Sequence, residues 1–244
     1  MRKLFLFVLF TFYAAHSFAY KPVYADFGIW NTLNVSYKLN NKWSLLFTQE
    51  WRLRENASRL NLFYTNFGAS YSLGKGVKTA FIYRHIDKYL ETNMFSYRHR
   101  LMWDMSYKKD VKKYNFSCRH RLQIEWTDYY TDAFGKEPQL FSRLKGEVGY
   151  TIGKFTPNIS TEFRIQWTDA RNNGDDDNLS RNRTIFGLDY ALNPAMKLGT
   201  YYLHQAEFNT VTPQVINILG LECNVNLNKL LATNKKKSNK KDTD

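Results

Sequence analysis

Beyond residue 20 the sequence lacks any apolar run long enough to cross a bilayer as an α-helix, which needs about 20 residues. Helical membrane spans are therefore excluded, although other forms of membrane residence are not. Cysteine is also scarce, because Cys118 and Cys223 are the only two in 244 residues and are too few for a disulfide framework. The sequence shows no convincing helix and no linker, so we expect a single domain.

The first 19 residues predict a secretory signal peptide. They combine a basic head, a largely apolar stretch over residues 4–15 and small residues just before a cleavage point after Ala19. No cysteine follows the apolar stretch, so we do not expect a lipoprotein anchor. We expect a mature domain over residues 20–228 and a basic, disordered tail over residues 229–244.

Positive charge exceeds negative charge, with 35 Lys and Arg against 22 Asp and Glu and a net charge of +13. The predicted signal and tail hold eight basic and two acidic residues, so the domain keeps 27 basic and 20 acidic residues, or +7. A basic balance suits phosphate or anionic lipid partners. Because the chain is predicted to be exported, we expect no nucleic-acid partner.

Residues 95–107 alternate between polar and apolar side chains with a period of two, which predicts a β-strand with unlike faces. The motif Arg-His-Arg-Leu occurs there and again at residues 119–122, with the same alternation around it. Many of the predicted strands have ten or more residues, longer than ordinary globular strands. The eleven predicted segments are 27–39, 43–54, 61–73, 77–87, 95–107, 113–127, 140–152, 159–168, 184–192, 198–207 and 215–227.

The charged faces decide between a soluble barrel and a membrane barrel. A membrane barrel turns its apolar faces to lipid and its polar faces to the lumen, with aromatic girdles near the strand ends. An arginine facing lipid at the midplane costs about 2–4 kcal/mol, so the repeated arginines must face inward. We predict an all-β, transmembrane, antiparallel up-and-down barrel of about 12 strands, within a range of 10–12. Such barrels usually have an even strand number, so residues 20–26 are expected to add a strand or thread the lumen, or one segment is wrong.

The predicted lumen carries a layer of charged side chains that attracts anions. A hairpin turning around residues 109–111 would bring Arg100 near Arg121. The acidic stretch at 172–178 is interpreted as a solvated loop, and no metal, cofactor or catalytic residue is predicted. The predicted lumen-lining residues are Glu50, Arg52, Arg98, Arg100, Arg119, Arg121, Arg143, Lys145, Glu147, Glu162 and Arg164.

Three functions remain open at this point. Rings of basic side chains select anions, which favours a narrow pore for small anionic solutes. A lumen of ten to twelve strands lies between a filled barrel and an open porin, so a salt-bridged plug with outer loops 128–138 and 169–181 as contact sites is the alternative. A lipid-acting enzyme built around His99 or His120 is disfavoured, since no serine or carboxylate stands at a hydrolase spacing. We expect a protein that is not an enzyme.

Several short motifs resemble a known family. They are the opening DFGIWNTLNVSYKLNNKWSL at 26–45, the Glu-Trp-Arg-Leu-Arg run at 50–54 and the Tyr-Arg-His pattern at 83–85 and 97–99. They are similar to the uncharacterised outer-membrane β-barrel family common in Bacteroidetes, a domain of unknown function. The resemblance implies a Gram-negative outer-membrane barrel in contact with outer-membrane lipid, and it supplies no catalytic residues.

A looser similarity is to small oligosaccharide porins, which have twelve strands and tracks of arginine in the lumen. It implies such a role for Arg98, Arg100, Arg119, Arg121 and Arg164.

Overall fold

The structure, a computed structural model, describes residues 24–90, 92, 94–127, 137–168, 179–209 and 213–233. These residues form eleven strands, and residues 227–233 add a short helix, α1, directly after the last strand. The strands are β1 Tyr24–Lys38, β2 Trp43–Arg54, β3 Arg59–Gly74, β4 Val77–Tyr89, β5 Phe95–Val111, β6 Tyr114–Thr127, β7 Gln139–Tyr150, β8 Phe155–Gln166, β9 Leu179–Asn193, β10 Met196–Glu207 and β11 Gln214–Asn226.

The strands close into a single barrel in which every strand is hydrogen-bonded to two neighbours. Consecutive strands pair antiparallel, and β1 pairs with β11 in parallel over thirteen residue pairs. The prediction of an all-β, up-and-down barrel is therefore confirmed, with eleven strands where about twelve were expected. Closure of an odd number of strands requires one parallel pair, and the β1–β11 ladder leaves no strand edge open.

The expected extra strand before β1 is not found in the described residues. Residues 24–26 extend β1 itself, while residues 20–23 lie outside the described part of the chain, as do 128–136 and 169–178, which include the acidic stretch. Residues 229–233, the first five of the predicted disordered tail, belong to α1. Both cysteines are free.

The two ends of the barrel differ in the length of their connections. Because β1 and β11 pair in parallel, both strands begin at the same end of the barrel. This end carries the longer connections, and we call it the loop end. Helix α1 leaves β11 at the opposite end, which we call the turn end. Connections at the loop end are 55–58, 90–94, 128–138, 167–178 and 208–213, and those at the turn end are 39–42, 75–76, 112–113, 151–154 and 194–195.

The strand length and the outer surface match a barrel that crosses a bilayer. Each strand has at least twelve residues, whereas a tilted span needs about 9–11. Large apolar side chains such as Phe67, Leu101 and Leu144 are exposed around the outside. Trp43 packs edge-on against Tyr71 near the turn end, and further ring pairs lie near both ends, as expected for aromatic girdles. No helix among the described residues is long and apolar enough to cross a membrane.

The buried core lies inside the barrel and is mostly polar. Its apolar part includes a small cluster of Trp30, Leu203 and Ile218 on β1, β10 and β11. Gly28 of β1 belongs to this tight region, because a Cβ there would lie 2.6 Å from the carbonyl oxygen of Leu53. The rest of the interior holds the charged side chains that form the candidate site.

Candidate functional site

The β5–β6 hairpin sets the register of the charged interior. Arg100 lies opposite Glu125, and Arg121 lies opposite Asp104. The predicted pairing of Arg100 with Arg121 across the hairpin is wrong, because the hairpin turns at residues 112–113 and shifts the pairing by four residues. Two opposite charges now face each other where two arginines would have repelled.

A row of arginines crosses the barrel wall from β5 to β10. Each member lies directly opposite the next on the neighbouring strand, so four arginines stand side by side with a carboxylate at each end. Like charges directly opposite each other are destabilising in a sheet, so the row stores unfavourable electrostatic energy inside the lumen. This arginine row is Asp104, Arg121, Arg143, Arg164, Arg181 and Glu207.

Only the end arginines of the row are paired within it. Arg121 donates two hydrogen bonds to Asp104, from Nε to Oδ1 at 2.6 Å and from Nη2 to Oδ2 at 2.7 Å. Arg181 pairs with Glu207, with Nε–Oε1 at 3.1 Å. Arg164 donates from Nε to Ser180 Oγ at 2.9 Å and has no carboxylate within 4.0 Å among the described residues.

Glu162 on β8 is shared by three arginines from neighbouring strands. Arg119 donates to its Oε2 at 2.6 Å, and Arg143 and Arg183 donate to its Oε1 at 3.4 Å each. The Nε of Arg143 is buried without a hydrogen-bond partner. One carboxylate therefore balances three guanidinium groups, and two of the three contacts are long.

The β2–β4 side of the lumen combines charge with aromatic rings. Glu50 accepts hydrogen bonds from Arg52 at 2.5 Å and from the Tyr64 hydroxyl at 2.6 Å. The Arg52 guanidinium lies 3.6 Å from the ring centroid of Trp30. Arg84 lies 3.5 Å from the ring centroid of Tyr64 and donates from Nε to Asn66 Oδ1 at 2.7 Å. Its Nη nitrogens have no hydrogen-bond partner among the described residues.

Together these side chains form an arginine layer with a formal excess of positive charge. Ten arginines face five carboxylates, which gives +5 if all are ionised. The arginines are Arg52, Arg84, Arg98, Arg100, Arg119, Arg121, Arg143, Arg164, Arg181 and Arg183, and the carboxylates are Glu50, Asp104, Glu125, Glu162 and Glu207.

The eleven sequence-predicted residues all lie on interior faces of the strands. Nine of them belong to the arginine layer, while Lys145 and Glu147 form a separate pair at 2.7 Å nearer the turn end. Arg98 and Arg100 share Glu125. The lumen-lining set predicted from the sequence lacks the layer members Arg84, Asp104, Glu125, Arg181, Arg183 and Glu207.

A cavity of about 910 Å³ occupies the lumen between the arginine layer and the turn end. Arg84, Arg121 and Arg143 are among the layer residues that line it, and residues 193–197 line it near the turn end. At the layer itself the interior is filled by buried side chains, among them Met102 and Gln123, which lie between layer residues on β5 and β6. The layer therefore forms the inner limit of a cavity that extends toward the turn end.

Two glycines flank the ring of Tyr201 on the cavity wall. Tyr201 of β10 lies between Gly187 and Gly220 on the two neighbouring strands. A Cβ on Gly220 would stand 1.9 Å from Cζ of Tyr201, so the ring covers the space that the glycine leaves open. The absence of side chains here is a packing requirement of the interior wall.

Comparison with protein families gives a match over residues 27–215 to the model described as "Protein of unknown function (DUF2490)". The chain belongs to the DUF2490 family. The match covers well over half of the chain and confirms the predicted membership of an uncharacterised barrel family. No curated protein matches the chain. With its apolar exterior and charged interior, the DUF2490 chain is an outer-membrane β-barrel.

Three solved structures are similar to the DUF2490 chain. A NanC porin has 18% identity and a TM-score of 0.48, with 72% of this chain and 84% of that chain covered. A bacterial polysaccharide outer-membrane secretin has 11% identity and a TM-score of 0.49, with 78% and 64% covered. The β-domain of the Bordetella autotransporter Brka has 11% identity and a TM-score of 0.45, with 75% and 82% covered.

The four histidines of the DUF2490 barrel that the structure describes lie on outer faces of the strands, outside the lumen. His99 accepts or donates a hydrogen bond at 2.7 Å with the Tyr83 hydroxyl, and His120 Nε2 lies 2.8 Å from Ser142 Oγ. The second contact joins a potential nucleophile and base, and no sequence motif predicted it. No third group orients His120 within the described residues, and Ser142 is buried, so the arrangement falls short of a hydrolase triad. The described residues contain no group of three or more metal ligands.

Proposed function

We propose that this outer-membrane barrel is a narrow passage for small anionic solutes, with the arginine layer as its selective constriction. The single observation that carries the proposal is the arginine row, in which four guanidinium groups lie side by side around the lumen wall. Selection for stability alone would not place like charges directly opposite each other on neighbouring strands, because such pairs are destabilising. A negatively charged solute offsets that repulsion while it is bound.

Several guanidinium groups in the layer keep donors available for a solute. Arg84 and Arg143 are each only 7% exposed. The Nη nitrogens of Arg84 have no protein acceptor among the described residues, and Arg143 makes only one long contact to Glu162. Buried guanidinium groups with unused donors favour the binding of carboxylate or phosphate, which match their forked geometry.

Solute movement through the layer requires an exchange of ion pairs. The two 3.4 Å contacts to Glu162 are, with that of Arg98 to Glu125, the longest ion-pair contacts of the layer and the first that a solute would replace. Small anions can pass such a site if each arginine binds them weakly enough to release them to the next. This argues for a slow, selective passage and against a wide aqueous pore.

The test is the selectivity of single channels formed by the refolded mature protein in a planar bilayer. We expect discrete conductance steps with a reversal potential biased toward anions. Arg84→Gln should weaken the bias. The control Arg59→Gln removes the same charge at the loop end, where Arg59 pairs with Glu55 at 3.3 Å, and should leave the bias close to that of the wild type.

A plugged barrel is the second candidate, and the filled interior favours it. Ile86, Met102 and Gln123 are almost completely buried among the layer residues of β4–β6. On this account the ion pairs fix the shape of the barrel, and the outer loops make the functional contacts. A barrel that is shown to be folded by its heat-modifiable migration on a gel, but that never conducts, would support this candidate.

A further inference from the structure

Charge is distributed unevenly around the lumen. Nine of the ten arginines of the layer lie on β4–β9, and β10, β11 and β1 contribute none. The cavity wall formed by β11 and β1 carries neutral or acidic polar side chains instead, namely Thr32, Asn34, Glu222 and Asn224. The cavity therefore has a strongly basic wall on one side and a wall with a free carboxylate on the other.

Glu222 is the carboxylate of the second wall. It accepts one hydrogen bond, from Asn34 Nδ2 at 2.8 Å, and no basic side chain among the described residues lies within 4.0 Å of it. Its neighbours across the sheet are Gly199 and Thr32, which leave the carboxylate open to the cavity. An ionised group at such a partly buried site is unfavourable unless a positive charge or hydrogen-bond donors meet it.

Gly199 shapes this wall. A Cβ there would lie 2.9 Å from Asp189 Oδ1 and 3.5 Å from Cβ of Glu222, so the glycine holds open the space between the two acidic side chains. Asp189 is already bound by Lys197 at 2.8 Å. Glu222 is therefore the carboxylate that remains for a ligand.

The basic wall offers the complementary group on the same cavity. Arg84 is nine-tenths buried, lines the cavity and has unpaired Nη nitrogens among the described residues. Its ring contact with Tyr64 and its bond to Asn66 hold the guanidinium in place. A rigid guanidinium group recognises phosphate or carboxylate, whereas a carboxylate recognises an ammonium group.

We infer that the cavity selects small zwitterions, with the anionic phosphate or carboxylate group at the arginine wall and the ammonium group at Glu222. The inference rests on the proposed anion passage and names its solute class. Opposite charges on facing walls create a field across the lumen that orients a dipolar solute. The volume of about 910 Å³ is within the usual range for small-molecule sites.

Equilibrium binding to the refolded protein in detergent tests the inference without requiring conduction. The probes are phosphoethanolamine and propyl phosphate, which have similar size. Phosphoethanolamine ends in an ammonium group where propyl phosphate ends in a methyl group. Calorimetry should give an affinity for phosphoethanolamine about five- to tenfold higher, as expected for one partly buried charged contact. Glu222→Gln keeps the acceptor for Asn34 and should remove the difference without weakening propyl phosphate binding.

The outcomes separate the two proposals. Arg84→Gln should weaken both probes, and Arg59→Gln, outside the lumen, should change neither. If wild type binds both probes equally, or if Glu222→Gln keeps the preference, the zwitterion inference fails and the anion site stands. If the folded wild type binds neither probe, the anion site fails as well. Heat-modifiable migration on a gel checks that each variant is folded.

Discussion

Arg121 and Asp104 face each other across the β5–β6 ladder and meet through two short hydrogen bonds, at 2.6 and 2.7 Å. Both side chains are buried inside the barrel. The pair closes one end of the arginine row, so it keeps the first of four adjacent guanidinium groups balanced. Removal of one partner leaves an uncompensated charge in the interior, which is strongly destabilising.

Asp104→Asn is expected to destabilise the barrel by about 3–5 kcal/mol, because Arg121 would stay charged and buried without its partner. The double variant Asp104→Asn, Arg121→Gln should recover a large part of this loss. Urea unfolding of the refolded protein in detergent or lipid measures both. The partly exposed pair of Glu55 and Arg59 serves as control, and Glu55→Gln should change stability by about 0–1 kcal/mol. Equal losses in the single and double variants would show that the pair does not act as a unit.

The same pair shows what the sequence could and could not predict. Alternation with a period of two placed the eleven predicted lumen-lining side chains on the interior face, and all eleven segments became strands. Alternation cannot fix register, however, because a shift of four residues keeps every side chain on its face. The pairing of Arg121 with Asp104 in place of Arg100 depends on where the hairpin turns.

Arg84 was missed for a different reason. Its interior neighbours on β4 are Ala80, Ile82 and Ile86, so the polar and apolar faces of this strand look alike in the sequence. Arg181 and Arg183 were missed because β9 begins at Leu179, five residues before the predicted segment. The parallel closure of β1 on β11 and the sharing of Glu162 by three strands arise only when the sheet closes, so no local pattern predicts them.

Gly220→Ala should destabilise the barrel by about 1–3 kcal/mol through overpacking, because the new Cβ would collide with the ring of Tyr201. Gly146→Ala is a matched control, since a Cβ at Gly146 meets no atom within 4 Å. Unfolding midpoints of the two variants give the comparison. A loss for Gly146→Ala as large as that for Gly220→Ala would mean that strand flexibility, and not the ring contact, explains the effect.

Leu101→Arg tests whether the apolar exterior meets lipid. Leu101 is 50% exposed on the outer face of β5, and Leu231 is 53% exposed on α1 at the turn end. In a bilayer, Leu101→Arg should destabilise the fold by up to about 2–4 kcal/mol, while Leu231→Arg should be nearly neutral. Folding into lipid vesicles, followed by gel migration, measures the difference. Similar behaviour of the two variants would contradict the membrane orientation of the barrel.

The most direct test of the central claim is the reversal potential of single channels in a salt gradient for three proteins. We expect the anion preference to be highest for Glu162→Gln, intermediate for the wild type and lowest for Arg143→Gln. The first variant removes a negative charge from the arginine layer, and the last removes a positive charge. The two substituted side chains are partners in the wild type, where Arg143 Nη1 donates to Glu162 Oε1 at 3.4 Å. An unchanged reversal potential across the three proteins, or the absence of conductance from barrels shown to be folded, would contradict an anion-selective passage through this layer.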